Sequence, residues 1–348
     1  MYNRQTTLAL GGLALGAALL SHGLRKRRAM DFNGRTVLIT GGSRGLGLLI
    51  ARELGRQGAR VVLVARDSQA LASAQEELTA RGVDASTIVA DISSADEASR
   101  IVNETVDRLG RLDVLVNNAG VIKVGPLEHM TVADFEEAMA THFWGPLHTM
   151  RAAVPHMQRT GGGRIVNISS IGGKIAVPHL VPYCASKFAL TGVSTAFRSE
   201  LVQHGILVTT VCPGLMRTGS PFNAWFKGRH RDEFAWFAVA DSLPLISIDG
   251  RRAAAQIVDA ARHGDAELVV SWPAKLAVLA ASLAPGAVAR MTGMTNALLP
   301  GRAPDGEQSY SGWQSVSRWA PSILTRSSER SAAENNELPH AVSLEPSA

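Results

Sequence analysis

Apolar and polar positions change period at regular intervals along the chain. Short β-branched runs, RTVLIT from Arg35, ARVVLVA from Ala59 and STIVA from Ser86, alternate with stretches of helical period beginning at Gly45, Ser68 and Ala95. LDVLVNN, GRIVNIS, ILVTTVC and ELVVS supply four more strands, with helices expected from near Val132, Pro182 and Arg251. Strands that are apolar at nearly every position must be covered on both faces, which a parallel sheet between two helix layers achieves. The fold class expected is α/β, a doubly wound seven-stranded parallel sheet, because right-handed crossovers leave few alternatives.

The pattern also divides the chain. Residues 6–24 carry no formal charge over a length close to the ~20 residues that span a hydrocarbon core. A basic cluster at residues 25–28 follows directly. Residues 1–30 are thus a membrane-anchor candidate with a basic flank, and the positive-inside rule would leave the following domain in the cytoplasm. A cleaved signal peptide would carry its positive charge before the apolar run instead. The body is residues 31–271. Within it, residues 213–249 hold Phe222, Trp225, Phe226, Phe234, Trp236 and Phe237 with little strand pattern, which reads as a substrate lid or as a subdomain with its own small core. Residues 272–300 form an apolar run broken by Pro285 and Gly286, an interfacial or oligomer-contact segment. Residues 301–348, rich in Ser, Glu, Pro and Asn, are expected to be a disordered tail.

With 46% hydrophobic and 19% charged residues the chain has ample material for a core. The net charge of +5 is carried entirely by the five cations of residues 1–30, where there is no Asp or Glu, so the body is formally neutral and nucleic-acid binding is not expected. Two cysteines, Cys184 and Cys212, form no disulfide framework, and neither they nor the histidines show metal-ligand spacing. No metal is expected.

Candidate chemistry begins after the first strand. Residues 40–47 read TGGSRGLG and open a helix. Gly41, Gly45 and Gly47 permit a tight turn, and the helix N-terminus offers unpaired N–H groups to a pyrophosphate, so Gly41, Ser43, Arg44, Gly45, Leu46 and Gly47 form a candidate cofactor loop. An NAD site places a carboxylate at the end of the second strand. Here Arg66 stands there, with Arg44 in the loop, so two guanidiniums could clamp a 2′-phosphate and the cofactor expected is NADP(H). Asp67, one position later, reads as a helix N-cap. Asp91 and Ile92 end the third strand where an adenine could rest. Asn118, Ala119 and Gly120 end the fourth, beside a ribose.

Tyr183 and Lys187, four apart on a helix, share one face. A phenol with a pKa near ~10 is a poor base at neutral pH, and an ammonium one turn away is expected to lower it. Tyr183 could then exchange a proton with an alcohol or carbonyl oxygen. Ser170, at the end of GRIVNIS, could hydrogen-bond that oxygen.

Taken together, TGxxxGxG, NNAG, a serine thirteen residues before YxxxK, and PGxxxT at Pro213, Gly214 and Thr218 resemble the short-chain dehydrogenase/reductase family over about residues 31–271. The resemblance implies a Rossmann fold, hydride transfer to or from nicotinamide C4, Lys187 also binding the nicotinamide ribose, and Pro213, Gly214 and Thr218 on the nicotinamide side. It further implies a homodimer or homotetramer. One departure is His142, where the family commonly has an asparagine whose main-chain carbonyl holds a water; His142 reads as a packing residue or an addition to the proton relay. The expected function is NADP(H)-dependent interconversion of a lipophilic ketone or aldehyde and its alcohol. A catalytically weak NADP(H)-binding sensor or scaffold is the alternative.

Overall fold

The computed structural model describes residues 23, 25–243, 246–304, 306–317, 320, 322 and 325–337. The anchor candidate at residues 6–24 lies outside them apart from Gly23. Seven strands, β1 (Thr36–Thr40), β2 (Arg60–Ala65), β3 (Ala85–Val89), β4 (Val114–Asn117), β5 (Gly163–Ile168), β6 (Ile206–Pro213) and β7 (Glu267–Val270), form one sheet. All pairings are parallel, in the order β3-β2-β1-β4-β5-β6-β7. The expected doubly wound Rossmann architecture is what the chain adopts.

Helices α1 (Gly45–Arg56), α2 (Ser68–Ala80) and α3 (Ala95–Leu109) begin where the sequence period places them, and Asp67 caps α2 by accepting from the N–H groups of Gln69 and Ala70. The chain continues through α4 (Val132–Met139), α5 (Gly145–Arg159), α6 (Val181–Leu201), α7 (His230–Ser242) and α8 (Gly250–His263). Leu48, Leu49 and Leu54 of α1 and Ala253, Ile257 and Ala261 of α8 pack on one face of the sheet. Ile101 of α3, Met150 and Met157 of α5 and Leu201 of α6 cover the other. Two dry faces explain why the strands are apolar throughout.

A third cluster corrects two expectations. Phe222, Phe226, Phe234 and Phe237 do not present an open lid wall; they are buried against one another, with Phe226 and Phe234 edge-on at 5.4 Å. The alternative reading, a small core of their own, is the one realised. Nor is the described part of the tail disordered. Tyr310–Ser311 pairs antiparallel with Trp225–Phe226, Trp313 stacks on Phe222 at 4.5 Å, and helix α11 (Arg326–Glu334) buries Ala332 in the same cluster. Composition missed this because a few apolar anchors suffice when a preformed aromatic cleft receives them.

Helices α9 (Trp272–Leu283) and α10 (Pro285–Asn296) bury little beyond Ala274 and leave Trp272, Leu276, Leu279, Leu283, Met291 and Met294 exposed. Among the described residues no helix is long and apolar enough to cross a membrane.

Candidate active site

The order of strand addition reverses between β1 and β4, since the chain steps outward to β2 and β3 before returning to the other side of β1. Thr40, at the end of β1, pins that point. Its hydroxyl donates to the Val116 carbonyl at 3.4 Å and accepts the N–H groups of Asn118 at 3.0 Å and Ala119 at 3.2 Å. The Asn118 side-chain amide donates to the carbonyls of Thr40 and Gly41 at 3.2 and 3.0 Å. Asn118 therefore braces the glycine loop, a more structural duty than the ribose contact expected of it.

The loop is a close-approach cradle. Gly41 and Gly45 have φ of +63° and +55°. A methyl group at Gly41 would lie 2.8 Å from Ala119 Cα, and one at Gly47 would overlap the Gly41 carbonyl oxygen. Helix α1 begins with no side-chain cap and no acidic residue in its first turn. Such an N-terminus fits an anionic group held on backbone N–H donors. Ser43 is buried, and Leu46 packs partly into the sheet-side core.

The two arginines expected to clamp a phosphate point to different partners. Arg44 donates to Asn223 Oδ1 at 2.8 Å, while the exposed Arg66 lies 3.8 Å from Asp91. Asp91 also accepts the Ser93 N–H at 3.0 Å. Ile92 is buried where a methyl on Gly145 would touch it, so it packs against the start of α5.

Ser170, Tyr183 and Lys187 converge at the carboxyl end of β5. Ser170 has extended backbone, and its hydroxyl accepts the Gly172 N–H at 3.0 Å, turning the chain toward α6. Gly173 lies against Lys187, leaving only 2.6 Å between a methyl there and the Lys187 carbonyl. Lys187 is 4% exposed, and its Nζ donates to the Ile168 carbonyl at 2.8 Å. That Nζ stands 5.6 Å from the Tyr183 ring centre. Burial pulls Lys187 down to about 7. Burial also pushes Tyr183 up to about 12, against the opposing hydrogen bond from Ser170. The expectation that Lys187 would lower Tyr183 thus fails here: the ammonium is turned to a carbonyl and desolvation dominates both groups.

His142 is fully buried in a π-helical turn, Ala140–Trp144, between α4 and α5. Its Nε2 accepts the Val121 N–H at 3.1 Å, so in the neutral ring Nδ1 carries the proton and donates to Ser186 Oγ at 2.8 Å. Ser186 in turn donates to the Tyr183 carbonyl at 2.8 Å. Burial and the nearby Lys187 hold His142 well below its usual range. The ring packs edge-on to Tyr183 at 5.4 Å. With both nitrogens hydrogen-bonded, His142 ties the β4 loop to α6.

Pro213 ends β6, Gly214 approaches Ser271 and Ala274, and Thr218 is buried with its hydroxyl accepting the Ser220 N–H. Sequence reasoning missed two carboxyls beside this segment. Asp241 of α7, accepting from Ser220 Oγ at 3.0 Å and Met216 N–H at 3.2 Å, is pushed up to about 7 by burial. Glu337 accepts the Gly219 N–H at 2.6 Å. It also missed the buried His179–Glu233 pair, 2.9 Å apart, which Trp236 joins at 2.7 Å. Isolated acids in helical or polar stretches carry no local signal. His179 has φ +62°, a strain that only coordinates reveal. Among the described residues no His, Cys, Asp and Glu group could hold a metal ion.

Comparison with known proteins gives this arrangement its family. The short chain dehydrogenase family matches residues 35–224. An uncharacterized oxidoreductase of Thermotoga maritima is 38% identical over 185 residues, 53% of this chain and 73% of its own length. Ketoacyl reductase HetN of Nostoc is 39% identical over 181 residues, 52% of this chain and 63% of its own. L-Sorbose reductase from Gluconobacter frateurii, solved with NADPH and L-sorbose, superposes with a TM-score of 0.63 at 24% identity over 70% of this chain and 97% of that one. The chain belongs to the short chain dehydrogenase family. It is an oxidoreductase acting between CH–OH and C=O groups.

The bracing assigned to Asn118 has a measurable weight. Asn118→Ala removes two amide hydrogen bonds from partly buried carbonyls and is expected to cost about 1–3 kcal/mol in urea denaturation. An unchanged midpoint would show that the loop is held by Thr40 alone.

Proposed function

We propose that this chain is an NADP(H)-dependent reductase of a lipophilic ketone or aldehyde, or the dehydrogenase of the matching alcohol. The carrying observation is the convergence of Ser170, Tyr183 and Lys187 at the carboxyl end of β5, together with a glycine cradle that carries Arg44 and a second strand that ends in Arg66 rather than in a carboxylate. Support for the cofactor comes from the sorbose reductase solved with NADPH, and for the substrate class from the ketoacyl reductase relative. Gly41, Gly45 and Gly47 would receive the pyrophosphate, and Arg44, released from Asn223, with Arg66 the 2′-phosphate. Bound there, NADP(H) supplies or accepts the hydride.

The protein's own part is proton management. With Tyr183 near 12, its hydroxyl is protonated at neutral pH and fits the role of acid toward a carbonyl oxygen held by Ser170. Lys187 stabilises the phenolate left behind, but only while charged.

Titration of the full chain should give NADPH at least about tenfold tighter than NADH, because two guanidiniums add charge-assisted hydrogen bonds. Tyr183→Phe should keep that affinity within about twofold and lower carbonyl reduction by roughly 10²–10⁴-fold. Tight binding without turnover in the wild-type chain would favour the sensor reading.

The pH profile follows from Lys187. Its pKa is lowered to about 7, so the cation is present below that value and lost above it. Carbonyl reduction, followed as kcat/KM, should fall about tenfold per unit above pH 7, and Lys187→Arg should move that limb to higher pH. A flat profile from pH 6 to 9 would remove Lys187 from the role of tuning charge.

Membrane attachment and a cytoplasmic catalytic domain are part of the same proposal. They rest on residues 6–24 with their basic flank and on the exposed apolar side chains of α9 and α10. No acidic residue occurs between Glu267 and Asp305, whereas Lys275, Arg290 and Arg302 do, and that sign suits an anionic lipid surface better than a homo-oligomer contact. The full chain should float with anionic vesicles, and removal of residues 1–30 should reduce the floated fraction. A homodimer or homotetramer that ignores vesicles would overturn the lipid assignment.

A further inference from the structure

The expected pyrophosphate cradle is in contact with a segment of the chain far away in sequence. Beyond α11 the backbone turns at Asn336, φ +56°, and runs across the start of α1. The Gly45 N–H, first of the helix donors, is taken by the Asn335 carbonyl at 2.9 Å. Asn336 donates to the carbonyls of Ser43 and Ala70 at 2.9 and 3.0 Å. Arg52 of α1 holds Asn335 Oδ1 at 2.7 Å and the Glu334 carbonyl at 2.8 Å.

Glu337 completes the crossing. A methyl group at Gly45 would lie 2.9 Å from Glu337 Oε1, so the carboxyl stands directly over the glycine loop. Its other oxygen accepts the Gly219 N–H at 2.6 Å, next to Thr218. The carboxyl therefore bridges the helix N-terminus and the loop after β6, the two backbone segments expected to face a bound nucleotide. Asn223, which holds Arg44 at 2.8 Å, also donates to the Glu337 carbonyl at 3.3 Å. The loop, its arginine and the tail are one hydrogen-bonded unit.

We infer that residues 335–337 are an autoinhibitory plug, which occupies the dinucleotide phosphate site and must leave it before the cofactor binds. The inference rests on the nucleotide site proposed above. A pyrophosphate and the Asn335 carbonyl cannot both take the Gly45 N–H, and the Glu337 carboxyl fills the space over Gly45. Tail and cofactor compete, and apparent affinity falls with the fraction of open chains.

Docking also takes up a proton. Glu337 is 5% exposed, and burial, with Asp241 of α7 adding to it and Arg44 of the glycine loop opposing, pushes it up to about 8. A carboxyl raised on docking favours the docked state fully below its free value and loses that advantage as pH rises through about 8. The plug should hold in acid and loosen in mild alkali.

The test compares NADPH and NADH binding, by protein fluorescence, to the full chain, to a chain ending at Glu334 and to Glu337→Ala. Ending at Glu334 keeps α11 and its buried Ala332; Glu337→Ala controls for any disturbance of the aromatic core. The expected result is an apparent Kd about tenfold lower in both variants. The ratio of full-chain to truncated Kd should shrink toward one between pH 6 and 9. Deuterium exchange at residues 326–337 of the full chain should rise when NADPH is added. Equal affinity with and without the tail, or weaker binding without it, overturns the plug while leaving the cofactor site standing. Failure of both nucleotides to bind any of the three chains overturns the cofactor site and the plug with it.

Discussion

The parallel pairing of β1 with β4 is the constraint on which the site depends. It sets Thr40 opposite Asn117 and so delivers the glycine loop and the Asn118–Gly120 turn to the same edge of the sheet. Without the reversal of strand order there, α1 would begin over a neighbouring crossover and its N-terminus would face no crevice. Thr40 makes the junction rigid by using every hydrogen-bonding capacity of its hydroxyl, and Asn118 closes it from the other side. The glycines then have a reason beyond flexibility. Gly41 and Gly47 touch backbone, so the loop can keep this distance from β4 only without side chains.

The second dependence is burial at the catalytic pair. Tyr183 and Lys187 lie on one helix face, and removal from water drives them in opposite directions, the phenol up and the ammonium down. Both shifts favour neutral forms, as expected of groups in a low-dielectric pocket with only a carbonyl and a hydroxyl as partners. The pair therefore holds a proton on oxygen and keeps a conditional charge nearby. His142 contributes by position: it fixes Ser186 and, through it, the carbonyl of Tyr183, while its neutrality adds no repulsion to Lys187.

The strands and the first three helices were legible because each is a local pattern repeated without interruption, and the helix starts at Gly45 and Ser68 fall where the glycine loop and the N-cap Asp67 place them. The Ser170, Tyr183 and Lys187 grouping was legible because one helix face and one strand end determine it. Contacts between distant segments were not. The inward packing of Phe222 and Phe226 depends on Trp313 and Ala332, far later in the chain, and polar composition around those anchors hid them. The direction of the Tyr183 shift was misread because spacing reports proximity but not desolvation. The partners that Arg44 and Arg66 take, Asn223 and Asp91, follow from tertiary geometry alone.

The docking of the tail follows from the same physics that makes the glycine loop an anion site. A helix start without a side-chain cap leaves backbone donors in need of an acceptor, and near a buried crevice water serves them poorly. Any acceptor that reaches them gains, whether it belongs to a ligand or to the chain itself. Residues 335–337 supply a carbonyl and a carboxyl at that spot, and α11 brings them there by burying Ala332 in the aromatic core. The aromatic core and the glycine loop are therefore coupled through a nine-residue helix, Arg326–Glu334. Loosening the packing around Phe222 would also weaken the tail's hold on Gly45.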